Sequence, residues 1–457
     1  MSTDKALRRQ NREELLLTGN IPHLFVKYAL PGVAGLLFLG LQSVVDGIVL
    51  GHFVGANALA SVNLILPCYS LITAIAIVIG VGCQTIVSIS LGRSNRQEAN
   101  DAVASLFYFL IGFSVLISLL IYLFAEPIAV FLGANAVLLN GSVGYIRTLV
   151  PFFPILCAMF FGDYILKAMG KPVYATTIMG ATVLINILLD LLFVGIWNWG
   201  VEGAGLATGF AFSVGAFCNV PSLFSRKQIV SVQRGRFRSS LVWNAFYNGS
   251  SEGMSELAVA ITVFLFNITM MRYLGEDGVA AFTVINYVSF IATTLYLGVS
   301  DGIIPVIGYN FGAGYETRIR AILKLAARTN MLIGSVLFIA LFGFGEQIIS
   351  LFFKERNNAA FDIALEGVVI YSFAFLINGL NILASSYFTA IGNAKVSIII
   401  SMLRGLVFVV FGILVYPRVW GIQSIWFNVP VAEICTLFIS GYLVWKSFKK
   451  EVNVRVI

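Results

Sequence analysis

The sequence predicts an all-α integral membrane protein, with twelve transmembrane helices in two six-helix bundles related as a parallel pseudo-twofold repeat. Three observations predict it. Of 457 residues, 59% are hydrophobic and 11% charged, where a soluble domain carries roughly 25% charged residues. Apolar stretches of the ~20 residues that a bilayer demands follow one another from end to end. The second half of the chain also repeats small residues of the first half in register. Mean hydropathy is +0.91, and no stretch is long and polar enough for a sizeable soluble domain.

The spans are read near 24–50, 57–90, 103–125, 141–168, 173–196, 203–224, 241–270, 279–310, 325–345, 364–390, 396–416 and 421–445. Several exceed the minimum length, which implies tilt or interfacial extension. Residues 1–23 carry Lys5, Arg8, Arg9 and Arg12 and no apolar core, so they read as a cytoplasmic tail, not a cleavable signal. Residues 24–224 form the first bundle, 225–240 a basic cytoplasmic linker, 241–445 the second bundle and 446–457 a cytoplasmic tail. The linker, with Arg226, Lys227, Arg234, Arg236 and Arg238, reads either as a tether lying on anionic headgroups or as a plain basic loop.

Orientation follows from Lys and Arg. With the N-terminus inside, all but five of the 29 basic residues fall on the inner side. The five are Arg147, Arg272, Lys354, Arg356 and Arg418. Positive charge in short loops marks the cytoplasmic face, and an even helix count returns both termini to it. The net charge of +7 is therefore a membrane signal, and the expected partners are the bilayer and a small molecule, not nucleic acid. The chain is expected to be a monomer in the plasma or inner membrane.

The repeat is read from paired positions. Gly55 and Gly275, Ala60 and Ala280, Thr73 and Thr293, Gly82 and Gly302, and Gly92 and Gly312 are each 220 residues apart. Further on, Ala168-Met-Gly170 falls on Ala390-Ile-Gly392 at an offset of 222. Six spans separate equivalent points, so both halves run the same way, with an axis along the membrane normal.

Charge within the spans carries the chemistry, because an acid at mid-membrane costs at least ~2.5 kcal/mol on insertion scales. Asp46 lies late in span one. Asn186 and Asp190 lie in span five, four residues apart and hence on one helix face. Spans one and five run the same way, so both acids sit at similar depth in the outer half of the first bundle. Such a group can bind a proton or a sodium ion. The alternative is that each acid faces water or a structural partner. In the second half, Glu252 and Glu256 are also four apart, and Asp301 lies in span eight. These can line a cavity and attract cations, or hold the bundle together. Arg404 and Glu433, in spans eleven and twelve, read as a structural ion pair, and Asp163 with Lys167 as a self-neutralising one.

Absences narrow the class. No GxxxxGK[ST] loop cradles a nucleotide phosphate. The histidines are His23 and His52 alone, at opposite ends of span one, which leaves little for metal or Ser-His chemistry. Five cysteines without a CxxC read as small buried residues, not a disulfide framework or metal cluster. No cofactor is expected beyond a coupling ion, and energy for any pumping must come from an ion gradient.

The run Gln42-Ser-Val-Val-Asp-Gly-Ile-Val-Leu-Gly51, the Asn186-Ile-Leu-Leu-Asp190 group, Pro305-Val-Ile-Gly-Tyr-Asn-Phe-Gly-Ala313 and Gly275-Glu-Asp-Gly-Val-Ala-Ala281 together resemble the multidrug and toxic compound extrusion (MATE) family. The resemblance covers essentially the whole chain. It implies antiport of organic cations or amphipathic compounds against protons or sodium, by rocking between inward- and outward-open states. It also implies ion coupling at Asp46, Asn186 and Asp190, with sodium a candidate ligand there. Another branch of the family places a Glu in span seven and an Asp in span ten. Here the aligned span-seven position is Val259, with Glu252 and Glu256 shifted, and span ten offers Asn378 and Asn381. Ser251 stands where many members carry proline. Two other readings are a lipid-linked saccharide flippase, which would need a strongly cationic groove, and an intramembrane enzyme, for which catalytic motifs are missing.

Overall fold

The computed structural model describes residues 14–353 and 359–454. Lys5, Arg8, Arg9 and Arg12 of the N-terminal tail, Lys354 and Arg356 of the outer set, and Arg455 lie outside them. Helices account for nearly all of the described chain, as they must where lipid offers backbone groups no hydrogen bonds. Eleven described helices are long and apolar enough to cross a membrane. The longest, Ser239–Gly312, holds 74 residues. At ~1.5 Å per residue it is several times the ~30 Å hydrocarbon thickness, and it breaks at Gly275, where φ is 65° and ψ is −151°. Only a residue without a Cβ takes this conformation readily. The result is twelve helices among the described residues: α1 (Ile21–Phe53), α2 (Ala56–Gly92), α3 (Arg96–Leu123), α4 (Leu139–Ala168), α5 (Pro172–Ile196), α6 (Gly200–Phe224), α7 (239–274), α8 (276–312), α9 (Glu316–Ile349), α10 (Ala359–Ala390), α11 (Ala394–Trp420) and α12 (Ile422–Lys449). A short helix, Ala125–Phe131, lies between α3 and α4.

The repeat expected from the sequence reappears in the backbone. Left-handed residues recur at equivalent turns: Gly55 and Gly275, Ser94 and Gly314, Gly170 and Gly392, and Gly200 and Gly421. Two helices depart from regular winding. α5 has a π turn over Leu191–Ile196, starting directly after Asp190. α11 has one over Leu403–Val407, which contains Arg404. π turns gather at functional sites.

The chain forms two compact units. The first holds the residues up to Asn20, Ala34–Gly249 and Gly308–Tyr315; the second holds Ile21–Val33, Ser250–Ile307 and the residues from Glu316 onward. These bounds differ from a cut at residues 225–240: the first turns of α1 go with the second unit, while the starts of α7 and ends of α8 go with the first. Glycine explains the exchange. In the first unit, Gly82 and Gly249 lie against the backbones of Ala245 and Val78, and Gly92 and Gly312 against Tyr309 and Ile89. In the second, Gly32 and Gly298 press backbone to backbone, as do Gly302 and Tyr28. None of these positions has room for a Cβ, so small residues let the helix axes approach closely.

The linker is more tightly held than a loop read from charge alone. Its backbone is strapped to the first turns of α3. The Ser231 and Arg236 N–H groups donate to Asn100 Oδ1 and Asp101 Oδ1, each at 2.8 Å. The Arg238 N–H donates to Ser105 Oγ at 2.8 Å, and its guanidinium lies 3.7 Å from Asp101. Val230, Ser231 and Val232 are buried.

Candidate functional site

Within the first unit, α1 and α5 each present an amide one helical turn before an acid: Gln42 before Asp46, and Asn186 before Asp190. Spacing of four residues puts each pair on one face, and the two faces meet. The Asp46 and Asp190 carboxyls lie near enough to influence each other, as do Asp46 and Gln42, and Asp190 and Asn186. These are approaches, not formed bonds. Gln42 Oε1, Asp46 Oδ1, Asn186 Oδ1 and both oxygens of Asp190 are buried and accept no hydrogen bond from the protein. Asn186 is 0% exposed and Asp190 1%, while Asp46 is half-buried. The Asn186 amide nitrogen donates to Thr208 Oγ1 at 3.4 Å. This turns its oxygen away from α6.

Five buried acceptors without a donor are expensive, each forgoing ~1–3 kcal/mol. Two neighbouring carboxyl groups also repel when both are ionised. A proton shared between the acids, or a hard cation that accepts carboxylate and amide oxygens, relieves both penalties. The donor set therefore fits either ion: every converging ligand atom is oxygen.

Asp46 opens onto a cavity of about 280 Å³ in the same unit, with Asp190 buried behind it. Asp46, Gln42, Asn63, Tyr69, Tyr145 and Thr208 are on its wall, with Phe160 behind. The lining mixes aromatic rings with a few polar groups, the usual make-up of a small-molecule site. Sequence reasoning brought Asp46, Asn186 and Asp190 together but missed Gln42, Tyr69, Tyr145 and Thr208. Gln42 was legible, since its spacing to Asp46 repeats that of Asn186 to Asp190. The tyrosines and Thr208 lie on α2, α4 and α6 and carry no local signal.

The second unit arranges its candidates differently. Asp301 accepts a 2.7 Å hydrogen bond from Ser386 Oγ, and Glu252 lies near enough to Asp301 and Arg404 to feel both charges. Glu256 is exposed and is not held with them. Asn378 is buried with its Oδ1 bonded to no protein donor. Asn381, expected on a cavity wall, belongs to a packed network instead. Its amide nitrogen donates to Glu433 Oε2 at 2.7 Å, and its oxygen accepts from Ser440 Oγ at 2.7 Å. Arg404 Nε sits 3.6 Å from Glu433 Oε1. Both ends of the Asn381 amide are consumed by α12, which leaves it nothing to offer a ligand. Asp163 and Lys167, in the first unit, pair with each other one turn apart.

Two arrays of long apolar helices, one of them with a buried acidic cluster at a cavity, define a multi-span membrane transporter. The sequence profile of the MatE family matches residues 31–192 and 253–414. Both ends of the match, 31 to 253 and 192 to 414, are displaced by 222 residues, the offset of the internal repeat. The chain belongs to the MatE family, and it is a transporter, not an enzyme. It is 23% identical over 404 residues to the multidrug export protein MepA of Staphylococcus saprophyticus, covering 87% of this chain and 88% of that protein. Against MepA of Staphylococcus aureus strain MSSA476 the figures are 22% over 413 residues and 90% of each. Among solved structures, a MATE protein in the bent conformation superposes with a TM-score of 0.90 at 20% identity, over 97% of this chain and 99% of that one. A MOP superfamily transporter from Pyrococcus furiosus superposes with a TM-score of 0.86 at 20% identity, over 95% and 97%. These superpositions bear out the all-helical, twelve-span, two-bundle fold expected from the sequence.

Proposed function

We propose that this chain is a secondary antiporter that moves small amphipathic or cationic compounds out of the cell in exchange for protons or sodium ions. The observation that carries the proposal is the cluster of donorless oxygens at Gln42, Asp46, Asn186 and Asp190. The names of the MepA relatives, multidrug export proteins, support the direction and the substrate class. Asp190 is sealed from the cavity side while Asp46 lines it. Asp46 therefore meets the substrate, and Asp190 holds charge or a proton behind it. Bound coupling ion neutralises the pair; an arriving organic cation supplies the same neutralisation from the cavity. The two cannot both be held at full strength, so one displaces the other, which is exchange. Both termini are cytoplasmic in this scheme, the membrane is the plasma or inner membrane, and a monomer suffices.

The test is efflux of a lipophilic cationic dye from proteoliposomes, with pH and sodium gradients imposed separately. Wild-type protein exports dye under one gradient and not the other, which names the ion. Asp46→Asn and Asp190→Asn each lose at least ten-fold of the gradient-driven rate. Coupled export at the wild-type rate in both variants would overturn the assignment.

A further inference from the structure

The second unit carries a groove that plays no part in the ion site. It has a volume of about 340 Å³ and lies between α9, α10 and α12. Leu323, Ala327, Leu380, Leu383, Leu437 and Val444 make its walls. Its mouth is cationic, formed by Arg320 and Lys324, and both are exposed. The Arg320 guanidinium rests 4.6 Å over the ring of Phe448 and donates to the Phe448 carbonyl at 3.4 Å. Phe448 stacks on Tyr387 with centroids 5.7 Å apart. This fixes one cation at the rim.

The neighbouring turns of α12 say where that rim lies. The Lys446 ammonium sits 5.7 Å over Tyr442, and that of Lys449 sits 4.9 Å over Trp445. Aromatic rings paired with basic side chains collect at the headgroup level of a bilayer. From that level the walls descend one helical turn at a time, Arg320, Lys324 and Ala327 on α9, and Phe448, Val444 and Leu437 on α12. At ~1.5 Å per residue the apolar part reaches ~10–16 Å below the cations, which is acyl-chain depth. Among the described residues no acidic side chain lines the groove, and its charged lining groups are Arg320 and Lys324. Those residues favour an anionic headgroup over a zwitterionic one.

We propose that this groove binds one anionic phospholipid, its phosphate between Arg320 and Lys324 and an acyl chain along Leu383 and Leu437. Basic pockets between helices at a membrane surface hold anionic headgroups. The site is independent of the transport reading, and its test needs no transport.

The test is native mass spectrometry of the full chain in detergent, with phosphatidylglycerol and phosphatidylcholine of identical chains offered together. Phosphatidylglycerol should form the dominant one-lipid adduct, at least five-fold over phosphatidylcholine. Lys324→Gln should lower that adduct about five-fold, the effect of ~1 kcal/mol per basic side chain near anionic lipid. Lys324 is exposed, so this variant should keep the wild-type melting temperature. The double variant Arg320→Gln/Lys324→Gln should bring phosphatidylglycerol down to the phosphatidylcholine level, and Leu383→Trp, which fills the groove, should weaken both lipids. Equal binding of the two lipids by wild type, or full preference retained by the double variant, would overturn the proposal.

Discussion

At the scale of residues, the amide–acid pairs set what a substitution should do. Thr208 is the hydrogen-bond partner of the Asn186 amide nitrogen, so Thr208→Val frees that amide to rotate. One neutral hydrogen bond is worth ~1 kcal/mol. Half-maximal coupling-ion concentration in the dye-efflux assay should therefore rise about five-fold, with the maximal rate little changed. A wild-type ion dependence would show that Asn186 needs no such orientation. Arg404 and Glu433 give a contrasting case. Glu433 is 3% exposed, and removing one partner of a buried pair costs ~3–5 kcal/mol because the other charge is stranded. Arg404→Met should therefore lower the melting temperature sharply, and Arg404→Met/Glu433→Gln should recover most of the loss in a double-mutant cycle. Additive losses would mean that the two charges do not stabilise each other. The sequence showed these groups because a charged residue in an apolar helix stands out by itself. It misplaced Asn381, because an amide in such a helix looks the same whether it faces a cavity or, as here, Glu433 and Ser440.

At the scale of elements, the turns are where the repeat becomes mechanical. Gly275 meets nothing within 4 Å at its Cβ position, so Gly275→Ala isolates the backbone cost of φ 65°. That cost is ~1–2 kcal/mol for a residue with a Cβ. Gly112 is also uncrowded but lies inside α3, where alanine is favoured by ~0.5–1 kcal/mol. Thermal melts in detergent should show Gly275→Ala destabilised and Gly112→Ala unchanged or stabilised. Equal melting temperatures would mean that the α7–α8 break does not depend on glycine. Spacing and hydropathy placed most of these helices within five residues of their observed ends, but began α3 at 103 and α9 at 325, where their polar first turns start at Arg96 and Glu316. They did not show that 239–312 winds on almost continuously through one glycine, since periodicity reports helix and is blind to a single left-handed residue. Nor did they show the linker strapped to α3, because tertiary hydrogen bonds from Asn100, Asp101 and Ser105 leave no periodic trace.

At the scale of the whole molecule, the basic residues fix an orientation that labelling can test. Lys227 follows α6, and Gln423 lies in the first turn of α12; both are exposed. Five spans separate them, so the chain must carry them to opposite faces. The linker side holds Arg226, Arg234, Arg236 and Arg238, and basic loops stay in the cytoplasm. Cys218 is exposed and Cys435 partly so, while Cys68, Cys83 and Cys157 are buried. A Cys218→Ser/Cys435→Ser background therefore leaves a single introduced cysteine as the main target. In intact cells, a membrane-impermeant maleimide should label Gln423→Cys and leave Lys227→Cys untouched; opening the cells should expose the second. Labelling of both in intact cells, or of Lys227→Cys alone, would invert or break the topology. The proposed exchange would fail with it, because the outer-half position of Asp46 and Asp190 is defined by that orientation. A coupling ion that enters from outside must reach these acids first, and only the predicted topology puts them on its side.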